Sequence, residues 1–528
     1  MILNDPRRPA PTGVGGRATL DELLRRAALR RPDDIALIDP PNRESFTDGL
    51  PRRLTYAQTD RMVSAIAGRL RRIGLHTDAV VGLQMANTVD SVLTLLGVLR
   101  AGLIAMPMPL LWRRADAITA LSRVSANALI VNRRIGAVDH CDLARQVAAE
   151  IFPVRYVCGF GKDLPDGVIP LDDLYTADKL DPVPGIERER MLPPGPAAHL
   201  AVITWDVAAE GLVPVGRSHA DLIAGGLAVL LESRLQQDAV LLSTLTMSSF
   251  AGLAVAVLPW LLVGGTLVLH QPFDPATFAF QRHNVRCDTV IVPGPVVPQL
   301  AEAGHFGGRD GLKSVIGVWR SPERLARAPT WRDTSAFMID VQVFGETGLL
   351  AARRGQTGRP AAIPFGAVAA PRGTKGAVMI GEVMPTAKGT VALRGPMVPR
   401  CAFPPGAERT PLPHFKVAAN GFVDTGYACQ VDQDSPAMVL TGPPPGIVSV
   451  GGYRLVVHDL QATVAQAESG GTLAALPDAL AGHRLAGNAA DRDAIQVELT
   501  RLGVNPLLVG AFRNRRPQGA RDDKGQTA

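Results

Sequence analysis

The residues best suited to chemistry lie in a stretch that leads from an apolar run into an apolar helix. His199 to Thr204 has the pattern of a buried strand, and Ser218 is a favourable N-cap for a helix from Ala220. The segment between them contains two glycines and a proline, which predicts a loop. A strand, a glycine-containing loop and a helix N-terminus together often cradle a phosphate group. The stretch therefore predicts a phosphate site.

The same segment also carries two carboxylates, Asp206 and Glu210, and no lysine. A carboxylate about 4 Å from a phosphate oxygen costs on the order of 1–4 kcal/mol, depending on the local dielectric. A purely structural connection between strand and helix is the alternative interpretation. The sequence leaves both open.

The amino-acid composition of the chain excludes several classes of function. The 528 residues are 46% hydrophobic and 20% charged, which is typical of a globular protein with an ample core. The net charge of +6 is small, and no basic block is interleaved with aromatic residues, so we expect no nucleic-acid binding. The five cysteines contain no CxxC pair, which argues against a zinc site and favours a reducing, cytoplasmic location. Met1 to Gly16 lacks the apolar core of a signal peptide.

One uncharged segment, Ala239 to Leu269, is long enough to cross a bilayer. Pro259 and the pair Gly264-Gly265 interrupt it and predict a helix, a turn and a strand at Thr266 to His270. We therefore expect buried elements there and no membrane span.

The elements that would position the chemistry alternate between strands and helices. Thr19, with Glu22 three residues on, predicts a capped helix, and a second helix is predicted to open at Thr59. Strands at Ala79–Met85 and Leu103–Pro107 flank a further helix. This alternation predicts an α/β fold with a mostly parallel sheet covered on both faces.

The N-terminal elements contain a recognisable set of residues: Leu54-Thr55-Tyr56-Ala57, Ala67, Leu70, Gly74, Val80-Val81-Gly82-Leu83, Asn87 and Ala101-Gly102. With these residues they resemble the start of the AMP-forming adenylating enzymes, a superfamily of acyl-CoA synthetases, peptide-synthetase adenylation domains and luciferases. The resemblance extends from about Leu20 to about Val464. It implies a large multi-lobed N-terminal domain, residues 18–442, with mostly parallel sheets and a small β lobe. A small α+β C-terminal domain would follow at 443–516, and residues 1–17 and 517–528 are predicted to be disordered.

The resemblance also implies a chemistry. Such enzymes join a carboxylate to ATP with magnesium to give an acyl-AMP, and a thiol then takes the acyl group. ATP and Mg²⁺ are therefore the implied cofactors of an active enzyme, with coenzyme A or phosphopantetheine as co-substrate. A small-molecule carboxylate, a nucleotide and an acyl carrier protein are the implied partners.

The first implied nucleotide site is the stretch described above. By resemblance, Thr204, Gly216, Ser218 and His219 bind the nucleotide. Val215 stands where the family has a lysine.

The second implied nucleotide site is Phe344-Gly345-Glu346-Thr347-Gly348, which resembles the family's Tyr-Gly-x-Thr-Glu loop. The aromatic ring of that loop stacks on adenine, its threonine meets the α-phosphate and its last glutamate serves magnesium. Phe344, Gly345, Glu346 and Thr347 are therefore predicted nucleotide residues. Gly348 replaces the glutamate, which leaves Glu346 as the candidate metal ligand.

Later motifs match less completely. Gly421 to Tyr427 resembles Gly-Trp-x-x-Thr-Gly-Asp, which makes Asp424 and Thr425 candidate nucleotide residues although Tyr427 replaces the ribose-binding aspartate. Ser449 to Arg454 resembles a loop that approaches the thiol donor. No lysine lies between Lys416 and Lys524, where the family has its adenylation lysine, so the catalytic residues stay unassigned.

Two hypotheses follow. The first is an AMP-forming acid–thiol ligase with a divergent site, which is the function that the resemblance favours. The second is a catalytically impaired relative that keeps the fold to bind an acyl group, a carrier or a partner protein. The sequence leaves this choice open.

Overall fold

The computed structural model describes residues 18–176, 195–307, 311–332, 335–431, 437–468 and 470–513. Both segments that the sequence predicts to be disordered, 1–17 and 517–528, lie outside these residues. The first described part alternates strands and helices as predicted. Its elements are α1 (Leu20–Arg30), β1 (Ile35–Ile38), α2 (Arg43–Phe46), β2 (Arg53–Thr55), α3 (Tyr56–Arg72), β3 (Val80–Gln84), α4 (Val89–Arg100), β4 (Ile104–Pro107), α5 (Arg114–Arg123), β5 (Ala128–Asn132), β6 (Arg134–Ile135), β7 (Val138–Asp139), α6 (His140–Glu150), β8 (Tyr156–Phe160) and β9 (Val168–Pro170).

The second part contains the stretch with the predicted phosphate site. Here the two longest strands of the part are adjacent in sequence and are followed by the longest helix of the part. The elements are β10 (Leu200–Ala208), β11 (Gly211–Ser218), α7 (His219–Ser233), β12 (Val240–Ser243), α8 (Phe250–Gly252), a π-helical turn (Leu253–Val257), α9 (Leu258–Val263), β13 (Thr266–Leu269), α10 (Pro275–Val285), β14 (Thr289–Pro293) and α11 (Val297–Glu302).

The third part is mainly strands and ends in a small mixed unit. Its elements are β15 (Ser314–Trp319), β16 (Phe337–Phe344), β17 (Gly348–Arg353), β18 (Ile363–Pro364), β19 (Gly366–Ala370), β20 (Val378–Pro385), β21 (Thr390–Arg394), β22 (Val423–Val431), β23 (Ala437–Gly442), β24 (Ile447–Val450), β25 (Tyr453–Val456), α12 (Val457–Ala467), β26 (Thr472–Asp478), β27 (Gly482–Asn488), α13 (Arg492–Leu502) and α14 (Pro506–Gly510).

Two large sheets form the body of the fold. The order of the first is β17-β16-β15-β14-β12-β13-β1-β2, with antiparallel strands only at its two edges. The order of the second is β11-β10-β4-β3-β5-β8-β9, parallel apart from β11. Helices α3, α4, α7 and the helical run Phe250–Val263 contribute to one apolar core with strands of both sheets. The predicted mostly parallel α/β fold is confirmed.

Two smaller antiparallel sheets complete the architecture. Strands β18 to β23 form the small β lobe in the order β18-β23-β22-β21-β20-β19. Strands β24 to β27 form a four-stranded sheet with its own core against α12, α13 and α14, centred on Val464, Leu499 and Phe512. The small α+β C-terminal unit is thus present. Its predicted boundary at 442/443 coincides with the end of β23, while the exact limits of the domains stay a prediction.

Helix capping explains where two N-terminal helices begin. Thr19 caps α1 in a capping box with Glu22, as predicted. Helix α3 begins at Tyr56 and not at Thr59, because Thr55 accepts a hydrogen bond from the Gln58 N–H and forms a second capping box. The Thr59 hydroxyl instead donates to the Thr55 carbonyl inside the first turn.

The uncharged segment 239–269 lies in the core as three separate pieces. Strand β12, the helical run Phe250–Val263 and strand β13 follow one another, and Gly264 ends the helical run in a left-handed conformation. The helix and the strand after Gly265 are as predicted, while β12 is an additional strand. Across the described ranges, no helix combines the length and apolarity needed to cross a membrane.

Candidate functional site

The predicted phosphate loop is a β-hairpin. Strands β10 and β11 pair from Leu200 with Ser218 down to Ala208 with Gly211, so only Ala209 and Glu210 form the turn. The loop expectation was wrong because Val213 and Val215 alternate with residues on the other face and bury their side chains as strand residues do. The predicted strand at the start of the stretch is present and extends to Ala208.

The glycine and threonine predicted for this site have structural neighbours. A Cβ on Gly216 would lie 2.8 Å from Leu200 Cδ1 and 3.2 Å from Phe403 Cδ2, so Gly216 packs closely against both side chains. Thr204 is buried on β10, and its Oγ1 accepts a hydrogen bond of 3.2 Å from Arg217 Nη1. Both residues therefore lie within the packed hairpin.

Ser218 is the N-cap of helix α7, as predicted, and the helix begins at His219, one residue before the predicted start at Ala220. Ser218 Oγ accepts from the Asp221 N–H at 3.2 Å, and Asp221 Oδ2 accepts from the Ser218 N–H at 2.8 Å. His219 is buried, and its Nδ1 accepts from the Leu20 N–H at 3.3 Å. The capping box occupies donors that a phosphate at this helix terminus would use.

The Phe344–Gly348 motif is the turn between β16 and β17. Phe344 pairs with Gly348, and the Thr347 N–H donates to the Phe344 carbonyl at 2.9 Å. Phe344 is buried, and its ring packs edge-to-face on Tyr427, with centroids 5.6 Å apart. The ring predicted to stack on adenine thus has an intramolecular aromatic partner.

Glu346, the candidate metal ligand, is buried beside Arg217. Its Oε2 accepts from the Phe250 N–H at 2.9 Å and lies 3.6 Å from Arg217 Nη1. Arg217 also donates to the Glu346 carbonyl, and its guanidinium carbon lies 3.9 Å from the centroid of the Phe250 ring. Burial raises the pKa of Glu346, and the positive charge of Arg217 opposes that rise.

Sequence reasoning missed Arg217. The sequence did contain an indication of its role, because Arg217 is the single charged residue in the otherwise uncharged strand Gly211–Ser218. The side chain is 1% exposed, and burial lowers its pKa while Glu346 opposes the shift. A buried arginine requires such a carboxylate partner.

A second ion pair joins the hairpin to the C-terminal unit. Asp206 on β10 pairs with Arg454 on β25. Its Oδ2 also accepts from the Glu346 N–H at 3.0 Å, and its Oδ1 accepts from the Val207 N–H at 2.8 Å. Asp206 is therefore fully engaged with residues of three separate segments.

Gly345 lies directly beneath this pair. Its φ of +54° is a left-handed conformation, and a Cβ there would lie 2.6 Å from Asp206 Oδ2 and would also contact Arg454 Nη1. The space next to the Phe344–Gly348 turn, where the resemblance expects phosphate groups, is thus occupied by the side chains of Asp206 and Arg454.

Three positions of the motifs face away from this pair. A Cβ on Gly348 would lie 3.4 Å from Leu393 Cδ1 and 3.6 Å from Val398 Cγ2, so this position faces an apolar part of the small β lobe. Asp424 is exposed and accepts from the Gly426 N–H at 2.9 Å. The Thr425 hydroxyl donates to the Val391 carbonyl at 2.7 Å.

The side chains present do not fit a magnesium ion. The Oε2 of Glu346 is bonded within the core, and Gly348 contributes no carboxylate. Among the described residues, no group of three or more His, Cys, Asp or Glu side chains could hold a metal ion.

A cleft opens beside the Asp206–Arg454 pair, and we refer to it as the cleft below. Trp112 and Trp205 form one wall, with ring centroids 5.9 Å apart at 66°. Arg320 also lines the cleft and donates to Ser249 Oγ. The tip of the β24–β25 hairpin, Gly452 to Arg454, closes one end.

Two residues that line the cleft, Trp205 and Arg454, each carry a buried donor without an acceptor. Trp205 Nε1 and Arg454 Nε have no hydrogen-bond partner among the described residues. Buried donors normally find an acceptor, so a pair of them in one cleft suits a ligand that carries acceptor oxygens. The sequence analysis did not predict Trp205 as a site residue, although it is the single aromatic residue of strand β10.

Trp319 lies outside this cleft. Its Nε1 donates to Asp340 Oδ1 at 3.0 Å, and Asp340 pairs with Arg354 at 2.7 Å. The indole packs over Gly294, where a side chain would have no room. Of the predicted site residues, only Gly345 and Glu346 line the cleft.

The curated proteins that the chain matches include a fatty-acid–CoA ligase and a peptide synthase. The chain is 22% identical over 304 residues to the medium-chain fatty-acid–CoA ligase of Escherichia coli K12, which is 57% of this chain and 51% of the ligase. It is 33% identical over 85 residues to tyrocidine synthase 2 of Brevibacillus parabrevis, which is 16% of this chain and 2% of that protein. The chain thus spans about half or less of the curated relatives it matches.

Solved structures are similar over nearly the whole length. The amide bond synthetase McbA from Marinactinospora thermotolerans superposes with a TM-score of 0.70 at 16% identity, covering 93% of this chain and 94% of that one. At this identity the likeness shows the fold alone. The sequence model of the AMP-binding enzyme family matches residues 24–348, which is more than half of the chain and includes both predicted nucleotide motifs. The chain therefore belongs to the AMP-binding enzyme family.

Proposed function

We propose that this protein binds an acyl carboxylate, or the thioester of one, in the cleft without forming an acyl-AMP. Enzymes of the AMP-binding family use ATP, and the fold here retains the elements that surround their reaction. The observation that carries the proposal is the ion pair of Asp206 with Arg454 above Gly345. It puts a negative charge and two side chains beside the turn where the family holds phosphates.

Electrostatics supports the absence of adenylation. A triphosphate next to Asp206 would meet a repulsion of about 1–4 kcal/mol and would have to separate the carboxylate from Arg454. Each charged group that stabilises a phosphoryl transition state contributes roughly 3 kcal/mol, and such groups act as a unit. By the resemblance, Val215 and Gly348 replace two of them, and Tyr427 replaces the ribose-binding aspartate.

The cleft itself supports acyl binding. Trp112, Trp205 and Tyr453 offer apolar surface, while Trp205 Nε1 and Arg454 Nε are buried donors without an acceptor. A carboxylate or a thioester carbonyl supplies acceptor oxygens, and the attached hydrocarbon fits the aromatic wall. A carrier-bound acyl thioester is therefore as suitable as a free acid.

An AMP-forming acid–thiol ligase is the second candidate. It is favoured by the family match over residues 24–348 and by the C-terminal unit, whose β24–β25 hairpin reaches the cleft as a thiol-donor loop would. Coenzyme A or phosphopantetheine would be the co-substrate. This candidate requires Asp206 to leave Arg454 when ATP binds.

The experiment combines two measurements on the same protein. Indole fluorescence is titrated with a panel of carboxylic acids and their pantetheine thioesters, and carboxylate-dependent ATP–pyrophosphate exchange is measured with the same acids. We expect saturable quenching by at least one compound and no exchange. Exchange above the level without acid would overturn the proposal in favour of the ligase.

A matched pair of variants assigns the signal to the cleft. Trp205→Phe keeps the aromatic wall and removes the Nε1 donor, so it should weaken binding by about tenfold. Trp331→Phe changes a tryptophan that does not line the cleft and should leave binding unchanged. Saturable quenching that persists unaltered in Trp205→Phe would place the ligand elsewhere.

A further inference from the structure

A second recess lies where β17 ends and β16 begins, and we refer to it as the arginine groove. Arg353 and Arg372 are half-buried within it, and Arg234 and Arg332 are exposed at its edge. Phe337 supplies an aromatic ring beside them. We propose that the arginine groove binds a phosphorylated small molecule, with its phosphate group held by Arg353 and Arg372.

These four arginines form no salt bridge with a described carboxylate, although the negative charge of Glu232 acts on Arg353 and Arg372. Within the described ranges, none of them forms a salt bridge, whereas Arg354 in the same recess pairs with Asp340 at 2.7 Å. Arg372 Nε is buried without a hydrogen-bond partner among the described residues. Arg372 Nη1 donates to the Ala362 carbonyl at 3.5 Å. Half-buried guanidinium groups that keep a donor without an acceptor suit an anionic ligand with several oxygens.

The one acidic residue that lines the described groove has another role. Glu232 is buried, and its two carboxylate oxygens accept the N–H groups of Arg353 at 2.9 Å and of Arg372 at 3.0 Å. It therefore binds the backbone at the two arginines and fixes the segments that carry them. The positive charge of the four guanidinium groups exceeds this single negative charge.

The aromatic neighbour favours a small phosphorylated ligand over an acidic protein segment. The guanidinium carbon of Arg353 lies 3.2 Å from the centroid of the Phe337 ring, which holds this arginine in place, and Phe337 is 51% exposed. Arginine held in this way is preorganised for bidentate contact with a phosphate. An acidic protein segment would depend mainly on the exposed arginines at the edge, Arg234 and Arg332.

The groove is separate from the cleft. Strand β16 runs from Phe337 at the groove to Phe344 near the cleft, a distance of about 23 Å for an extended strand. Helix α7 also begins near the cleft at His219 and ends at Ser233, beside Arg234. The inference therefore does not rest on the proposed function, and the two can fail independently.

The test is calorimetric titration of the full chain with inorganic pyrophosphate at 0.15 M salt. We expect saturable binding, and we expect the double variant Arg353→Gln/Arg372→Gln to raise the dissociation constant at least about tenfold. Arg332→Gln, at the exposed edge, should raise it about threefold without risk to folding. Arg409→Gln, an exposed arginine that does not line the groove, is the matched control and should leave it unchanged.

Two further titrations make each outcome decisive. Arg454→Gln alters the cleft and should not change pyrophosphate binding, so a loss in this variant would overturn the groove assignment. A polyglutamate peptide should bind at least about tenfold more weakly than pyrophosphate. Equal binding of the peptide would identify an acidic protein as the occupant, and absence of pyrophosphate binding would refute the proposal outright.

Discussion

Asp206 and Arg454 form an ion pair between two parts of the fold that are 248 residues apart in the chain. Their side chains are 16% and 13% exposed, so solvent screens the pair only in part. Asp206 also accepts the Glu346 N–H, which ties the β16–β17 turn to the same carboxylate. One carboxylate thus connects the hairpin, the turn and the C-terminal unit.

A double-mutant cycle on this pair measures the connection. Asp206→Asn and Arg454→Gln should each destabilise the protein, and the coupling free energy should be about 1–3 kcal/mol, because both charges are mostly removed from water. Urea unfolding of the two single variants and the double variant gives this value. A coupling near zero would mean that the two side chains do not interact in solution.

Arg217 provides a test of the buried part of the site. Arg217→Met should lower the free energy of unfolding by about 3–5 kcal/mol, because it leaves the Glu346 carboxylate buried without its partner. Adding Glu346→Gln to this variant should restore part of the loss. Chemical denaturation measures both, with Arg409→Gln as the exposed control that should stay within about 0.5 kcal/mol of the parent. Equal stability of the Arg217→Met protein and the parent would contradict the account.

We predict that replacing Gly345 by any other residue destabilises the fold. Gly345→Ala should cost about 1–3 kcal/mol for its left-handed backbone alone, and more because the new Cβ meets Asp206. Gly355→Ala is the matched control, since its backbone is not left-handed and no atom lies within 4 Å of the added Cβ. Thermal unfolding of the two variants compares them. Similar melting temperatures would show that the turn is less constrained than its geometry implies.

The fold and part of the site followed from sequence for reasons that these residues make clear. Alternating strands and helices, the Thr19 capping box and the Ser218 N-cap depend on local patterns, and each is present. The resemblance brought Phe344 to Thr347 to attention, and Gly345 and Glu346 do line the cleft. Local sequence patterns and the family motif were sufficient to predict these features.

The remainder depends on contacts between distant segments. The second strand of the hairpin, Gly211–Ser218, was predicted as a loop because its glycines and proline suggested one, whereas pairing with β10 makes it a strand. Arg217 and Arg454 acquire their partners only when the β16–β17 turn and the C-terminal unit pack on the hairpin. No spacing within one segment indicates such pairs.

A pH dependence follows from His140. Burial, with a smaller effect of Arg113, lowers the pKa of His140 from 6.5 to about 4, and its Nδ1 lies 3.2 Å from Gln84 Oε1. Between these two pH values the unfolded chain binds a proton that the folded chain does not, so acidification destabilises the fold. The contribution of His140 should be about 2 kcal/mol smaller at pH 5 than at pH 7.

The comparison of parent and His140→Gln isolates this contribution. Asp39 and Asp116, whose pKa values burial raises to about 6, shift stability in the opposite direction and are common to both proteins. Urea unfolding at pH 7 and pH 5 should show that the variant loses less stability on acidification than the parent. An equal loss in both proteins would exclude His140 as the cause.

Calorimetric titration of ATP into the parent protein and Asp206→Asn tests the central claim most directly, namely that the Asp206–Arg454 pair excludes phosphates from the turn at Gly345. Both proteins in this titration also carry Arg353→Gln/Arg372→Gln, so that the arginine groove contributes no phosphate binding. In this background we predict no saturable binding to the protein that retains Asp206 up to millimolar ATP. In Asp206→Asn the repulsion is gone and Arg454 is free to meet a phosphate, so binding should tighten by about tenfold or more. Saturable ATP binding by the protein that retains Asp206, if Asp206→Asn weakens it or leaves it unchanged, would contradict the account.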